Sequence, residues 1–177
     1  LPQGDIGEAA FQALAEALVP VAQEAGIAAI IAGDSRIAGR VGADGIHVES
    51  GTEAVADAIG RWSGRLIVGA GGITTRDQAL EVGETQPDYV FFGRFGMDIK
   101  PEPHRRNIAL AAWWAEMISL PCIVLGGSDV ASVEAVAATG AEFVALSSAV
   151  FADGIQPGAV VAEANAILDR TAPRFGD

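Results

Sequence analysis

One pattern occurs three times in this chain: a helical stretch ends at a small or turn residue, an acidic residue follows, and an apolar strand begins. The three copies are residues 42–48 (GADGIHV), 86–92 (QPDYVFF) and 140–146 (GAEFVAL). A helix that ends at such a residue and leads directly into a strand is half of a βα repeat. Repeated βα units form a parallel sheet or barrel, so the pattern predicts an α/β fold.

The rest of the chain extends this alternation to six predicted strands, each followed by a helix. The strands are expected at residues 27–32, 46–49, 66–70, 89–92, 123–125 and 144–146. A helix over residues 8–25 precedes them, and its apolar residues at helical spacing are Phe11, Leu14, Leu18 and Val21.

Six strands do not close an eight-stranded barrel. Two interpretations remain open: an open doubly wound sheet, or a TIM (β/α)8 barrel whose first strand, first helix and second strand are missing from this chain. The leading helix, with no strand before it, favours the second. We expect residues 1–177 to form a single barrel domain that is incomplete at its N-terminus.

Composition excludes several classes of protein. Half of the residues are apolar, which is typical of a globular domain, and the net charge of −12 argues against nucleic-acid binding and against attraction to anionic lipid. No apolar run is long enough to span a bilayer. The single cysteine, Cys122, lies in an apolar run and is interpreted as a small core residue, which favours a reducing, cytoplasmic location.

Two turns near the end of the chain suit a phosphate group. Gly126, Gly127 and Ser128 follow one predicted strand and open a helix, and Ser147 and Ser148 follow the next strand. Backbone N–H groups at such turns can face an anion. Tight βα turns also need small residues for purely structural reasons, but two on consecutive strands favour phosphate binding.

The longest predicted connection, residues 93–107, gathers positive charge in an acidic protein. Its cationic or titratable residues are Arg94, Lys100, His104, Arg105 and Arg106. They are candidates for binding an anion such as diphosphate. The alternative is a solvated loop whose charges pair with nearby acids.

Four segments resemble consecutive signatures of thiamine phosphate synthase and its relative, thiazole tautomerase. They are residues 42–48, 88–93, 121–127 and 143–151, in the family's order. The resemblance implies an eight-stranded barrel that joins an aminopyrimidine diphosphate to a thiazole phosphate and releases diphosphate with the help of Mg²⁺. Its partners would be small phosphorylated heterocycles.

The resemblance also implies roles for particular residues. The thiazole phosphate would bind at Gly126, Gly127, Ser147 and Ser148, and Lys100 lies about where the family has its diphosphate-binding, catalytic lysine. For Mg²⁺ the candidates are Asp34, near the family's acid after the third strand, and Glu49, which could also be a solvated acid at a strand end.

This chain departs from the family at other positions. Residues 2–4 read Pro-Gln-Gly where the family has Arg-Glu-Lys, and residues 71–74 contain no histidine for a tautomerase. His47, within a strand, is expected to be a buried structural residue, and at most one of Trp113 and Trp114 can face the sheet.

Two other functions therefore stay open: a non-catalytic phosphate-binding or regulatory barrel, and another phosphate-binding barrel enzyme such as an isomerase, whose acid/base pair would be Asp34 and Glu49. Exposed strand edges and the second tryptophan predict a homo-oligomer.

Overall fold

The structure is a computed structural model that describes residues 1–172. Its strands are β1 (Ile30–Ile31), β2 (Gly45–Val48), β3 (Ile67–Ala70), β4 (Tyr89–Phe92), β5 (Cys122–Leu125) and β6 (Phe143–Ala145). Its helices are α1 (Glu8–Glu24), α2 (Ser35–Val41), α3 (Thr52–Trp62), α4 (Arg76–Glu84), α5 (Arg105–Met117), α6 (Ser132–Ala137), α7 (Ser148–Phe151) and α8 (Pro157–Thr171). The predicted alternation of strands and helices is confirmed.

The chain forms two compact units. The first comprises Leu1–Gly71 with Glu81–Asp88, and the second comprises Gly72–Leu80 with residues 89–172. The prediction of a single domain stays a prediction.

In the first unit, β2 pairs in parallel with both β1 and β3, with Ile46 opposite Ile31 and Val68. In the second unit, β5 pairs in parallel with both β4 and β6, with Val124 opposite Phe92 and Val144. The fold is therefore an α/β fold of parallel strands.

The acid of the repeated pattern connects successive strands. Asp44 accepts the Ala29 N–H at 2.7 Å, Asp88 accepts the Val68 N–H at 2.7 Å and Glu142 accepts the Cys122 N–H at 2.8 Å. Each carboxylate thus satisfies a backbone donor at or near the start of an earlier strand, which would otherwise be left unpaired. The hydrogen bond from Ala29 is the main reason why the pKa of Asp44 is lowered.

The predicted apolar face of α1 is wrong in three of its four residues. Phe11 is buried as predicted, but Leu14, Leu18 and Val21 are 43%, 40% and 62% exposed. The helix instead buries Ala15 and Val19 beside Phe11, in a cluster with Ile31, Ile37 and Ala38. Residues at i, i+4 and i+8 share one helix face, and the small Ala15 side chain allows close packing there.

The first strand is also shorter than predicted. Ile27 is exposed and lies in the turn after α1, where its N–H donates to the Ala22 carbonyl, so pairing begins only at Ile30.

Other predictions for the core are confirmed. Cys122 is buried, and this burial, with Glu142 nearby, raises the pKa of its thiol to about 12. Trp114 is buried and packs edge-on against Phe92. The guanidinium carbon of Arg76 lies over the Trp113 ring, 4.8 Å from the ring centroid. None of the helices in residues 1–172 has the length and apolarity to cross a membrane.

We expect Asp44→Ala to lower the free energy of unfolding by about 1–3 kcal/mol, because the Ala29 N–H loses a charged acceptor. Urea unfolding at pH 7 measures the change. Asp57→Ala, which removes an exposed acid from α3, is the control and should change the free energy of unfolding by less than about 0.5 kcal/mol. Equal effects of the two substitutions would contradict a structural role for Asp44.

Candidate active site

The second unit contains a cavity of about 860 Å³ that is lined mainly by the loop between β4 and α5. We call residues 93–104 the β4–α5 loop. The cavity is lined by this loop, the start of α5 and the end of β5, and it brings together every residue of the predicted cationic cluster: Arg94, Lys100, His104, Arg105 and Arg106. The structure therefore gathers these residues around one space that could hold an anion.

The start of α5 concentrates positive charge at this cavity. His104 caps the helix by accepting the Arg106 N–H on Nδ1 at 3.2 Å. Arg105 and Arg106 then occupy the first turn, which contains no acid. Because the helix dipole already makes an N-terminus positive, two arginines there are unfavourable unless an anion is close by.

The turn after β5 lies directly against the β4–α5 loop. The Ser128 N–H donates to the Lys100 carbonyl at 2.7 Å, and the Gly127 N–H donates to Ser132 Oγ at 2.9 Å. A Cβ atom on Gly127 would lie 2.0 Å from the Pro101 carbonyl oxygen, so only glycine permits this approach of two backbones.

The turn after β6 contacts the same loop through a residue that the sequence did not single out. The Ser148 N–H donates to Asp98 Oδ2 at 2.5 Å, and Asp98 is only 3% exposed. Asp98 and Glu102 look alike in the sequence of a charged loop. The burial of Asp98 depends on a contact with residue 148, fifty positions away.

Both predicted phosphate turns thus lie beside the cationic cavity, and Gly126 lines it. In this structure the N–H groups of Gly127, Ser128 and Ser148 donate to protein acceptors. Phosphate binding by Gly126, Gly127, Ser128, Ser147 and Ser148 stays a prediction.

The two candidate metal ligands lie in the first unit and are engaged in other contacts. Asp34 caps α2, and Arg36 donates to both of its carboxylate oxygens, which lowers the pKa of Asp34 to about 2. Glu49 Oε1 lies 3.9 Å from His47 Nε2. Residues 1–172 contain no group of three or more His, Cys, Asp or Glu able to hold a metal ion. These side chains do not fit a Mg²⁺ site as arranged here, so Mg²⁺ stays a prediction from resemblance.

Comparison with known proteins identifies the family. The sequence profile of the family described as thiamine monophosphate synthase matches residues 1–150. The chain belongs to the thiamine monophosphate synthase family. It is 31% identical to thiamine-phosphate synthase of Hyphomonas neptunium over 96% of this chain and 77% of that protein. It is 30% identical to the enzyme of Rhodospirillum centenum over 93% of this chain and 80% of that protein.

Solved structures share the fold of this member of the thiamine monophosphate synthase family. Thiamine phosphate pyrophosphorylase from Pyrococcus furiosus matches with a TM-score of 0.78 and 18% identity, over 97% of this chain and 82% of that one. A 3-hexulose-6-phosphate synthase matches with a TM-score of 0.64 and 20% identity, over 86% of this chain and 80% of that one. At these identities the likeness shows the fold alone.

His47 of this family member is buried on β2, as the sequence predicts. Burial lowers the pKa of its imidazole to about 4, so the side chain is neutral at pH 7. A Cβ atom on Gly71 would lie 2.5 Å from His47 Nε2, so the glycine leaves room for the ring.

We expect the free energy of unfolding to fall as the pH decreases from about 6.5 to about 4. In this interval the unfolded chain protonates His47 and the native chain does not, so the native state loses up to about 3 kcal/mol relative to the unfolded state. Urea unfolding across this range should show a shallower pH dependence for His47→Gln than for the wild type. An unchanged slope in His47→Gln would contradict this interpretation.

We expect Gly127→Ala to displace the β4–α5 loop, because the new methyl group would overlap the Pro101 carbonyl oxygen. Hydrogen exchange of residues 96–102 should become faster, as measured by mass spectrometry. Gly158→Ala on α8, where a Cβ atom meets nothing within 4 Å, is the control and should leave this exchange unchanged. Wild-type exchange rates of residues 96–102 in both variants would show that the close approach at Gly127 does not position the loop.

Proposed function

We propose that this chain joins an aminopyrimidine diphosphate to a thiazole phosphate in thiamine biosynthesis. The thiazole nitrogen forms a bond to the methylene carbon of the pyrimidine, and the carbon–oxygen bond to diphosphate breaks. Diphosphate leaves with the bonding electrons. The transition state resembles a carbocation, so catalysis requires positive groups that stabilise the departing anion.

The cationic cavity beside two phosphate-type turns is the observation that carries the proposal. Lys100 links the two parts: its carbonyl accepts the Ser128 N–H at one turn, and the residue also lines the cavity. We assign the diphosphate to the cavity, with Lys100 as the catalytic cation and Arg94, His104, Arg105 and Arg106 as further diphosphate ligands. The thiazole phosphate is assigned to the turns at 126–128 and 147–148.

The proposal extends to the barrel that the resemblance implies. Residues 1–3 run parallel to β1, since Pro2 bridges to Ala32 and the Gln3 N–H donates to the Ala32 carbonyl at 3.0 Å. This pairing supports residues 1–3 in the place of the second strand of an eight-stranded barrel, a strand that the sequence analysis expects to be missing, with residues 2–4 where the family has Arg-Glu-Lys. Homo-oligomerisation and a cytoplasmic location belong to the same proposal.

A second candidate is a non-catalytic barrel that binds phosphate ligands. It is favoured by the ion pair that engages Asp34 with Arg36, and by Pro-Gln-Gly at residues 2–4, which supplies no diphosphate-binding cation. An isomerase with Asp34 and Glu49 as its acid/base pair has less support, because Arg36 occupies both oxygens of Asp34.

The test is an assay with both phosphorylated precursors, with Mg²⁺ and with a chelator, that measures thiamine phosphate and released diphosphate. We expect both products in equal amounts. Failure to form thiamine phosphate under conditions in which a control synthase is active would refute the reaction and leave the binding protein as the better candidate.

We expect Lys100→Gln to lower kcat/KM for the aminopyrimidine diphosphate by about 100-fold, because one charge-assisted interaction with the leaving group is lost. Lys100→Arg should recover part of the loss, since it restores the charge. Arg170→Gln, in the last turn of α8, removes an exposed charge and serves as the matched control with wild-type kinetics. Wild-type kcat/KM in Lys100→Gln would remove Lys100 from the catalytic site.

A further inference from the structure

Two contacts hold residues 98–101 of the β4–α5 loop against the turns to which we assign the thiazole phosphate. Asp98 Oδ2 accepts the Ser148 N–H, and the Lys100 carbonyl accepts the Ser128 N–H. Two donors proposed for phosphate oxygens are therefore occupied by acceptors of the chain itself. A phosphate group can use these donors only if the segment gives them up.

Little else buries this segment. Asp98 is the only buried residue within residues 94–102, and its neighbours Met97 and Ile99 are 56% and 70% exposed. Residues 98–101 themselves contain no buried apolar side chain, so their position depends on polar contacts with the turns. Displacing them therefore costs little hydrophobic free energy.

The hydrogen bonding of Asp98 is also incomplete. Its Oδ1 atom is buried and has no hydrogen-bond partner among the described residues. A buried acceptor without a donor costs free energy, which weakens the contact as a whole. A phosphate carries the same kind of negative charge and more acceptor oxygens than a carboxylate, so it can compete for the Ser148 N–H.

We propose that Asp98 is an internal competitor of the thiazole phosphate and that residues 98–101 leave the Ser128 and Ser148 N–H groups when this ligand binds. The inference rests on the proposed function, which assigns the phosphate to these turns. Release of the Lys100 carbonyl also lets the backbone that carries the Lys100 side chain move at the cavity. Binding of the thiazole phosphate and placement of the catalytic lysine on the diphosphate are thereby coupled.

Calorimetry with thiazole phosphate tests the competition. Asp98→Asn keeps the shape of the side chain and removes its charge, so we expect this variant to bind about tenfold more tightly than the wild type. Asp98→Ser, which withdraws the carboxylate altogether, should also bind more tightly. Glu163→Gln is the control: it removes an exposed acid from α8 that does not line the cavity, and it should bind as the wild type does. Thermal unfolding verifies that each variant is folded.

The outcomes separate this inference from the proposed function. If the wild type binds thiazole phosphate and neither Asp98 variant binds more tightly, Asp98 is not a competitor and the assignment of the phosphate stands. If neither the wild type nor any variant binds thiazole phosphate, both the inference about Asp98 and the assignment of this phosphate to the turns are wrong. Hydrogen exchange gives a second measurement on the unmodified chain: saturating thiazole phosphate should accelerate exchange of residues 98–101, and slower exchange in the complex would overturn the inference.

Discussion

The structure depends on the carboxylate that bonds to a backbone N–H near the start of an earlier strand. Asp44, Asp88 and Glu142 each make this contact directly before their own strand begins. For Asp44 and Asp88 the link is reciprocal, because their own N–H groups donate back to the carbonyls of Ala29 and Val68. These acids therefore fix where a strand starts relative to an earlier one. They lie at the amino ends of strands, whereas the candidate site lies at the carboxyl ends, so their role is structural.

A backbone conformation two residues earlier makes this contact possible. Gly42, Gln86 and Gly140 have φ angles of 65°, 60° and 81°, in the left-handed region. Such a residue ends a helix and turns the chain sharply, and the acid two positions later then points back to the earlier strand. Gln86 is the only residue other than glycine with a positive φ among residues 1–172, and it shows that the geometry is kept even where the side chain makes it costly.

Local sequence predicted the elements well because their signals lie within a few residues of each other. The helix end, the acid and the strand are contiguous, and the cations from Arg94 to Arg106 are close enough in the chain to share a cavity. The face of α1 could not be predicted in the same way, since Leu14 and Ala15 both fit an apolar helical stripe and only the close packing against α2 selects Ala15. Asp98 was missed for a similar reason, because its partner Ser148 belongs to another strand end.

The cavity is lined by cations and by one buried acid, Asp98. Arg105 and Arg106 add their charge to the positive end of α5, and with Lys100 they create a field that favours an anion. Asp98 lines the same cavity and supplies a negative charge from the chain itself. The Asp98 carboxylate thus offsets part of the positive charge that a phosphorylated substrate would otherwise offset. Its Oδ1 atom remains without a hydrogen-bond donor among the described residues. In the proposed exchange, a phosphate replaces the Asp98 carboxylate at the Ser148 N–H. One anion then takes the place of another, so the negative charge next to these cations changes little when the ligand binds.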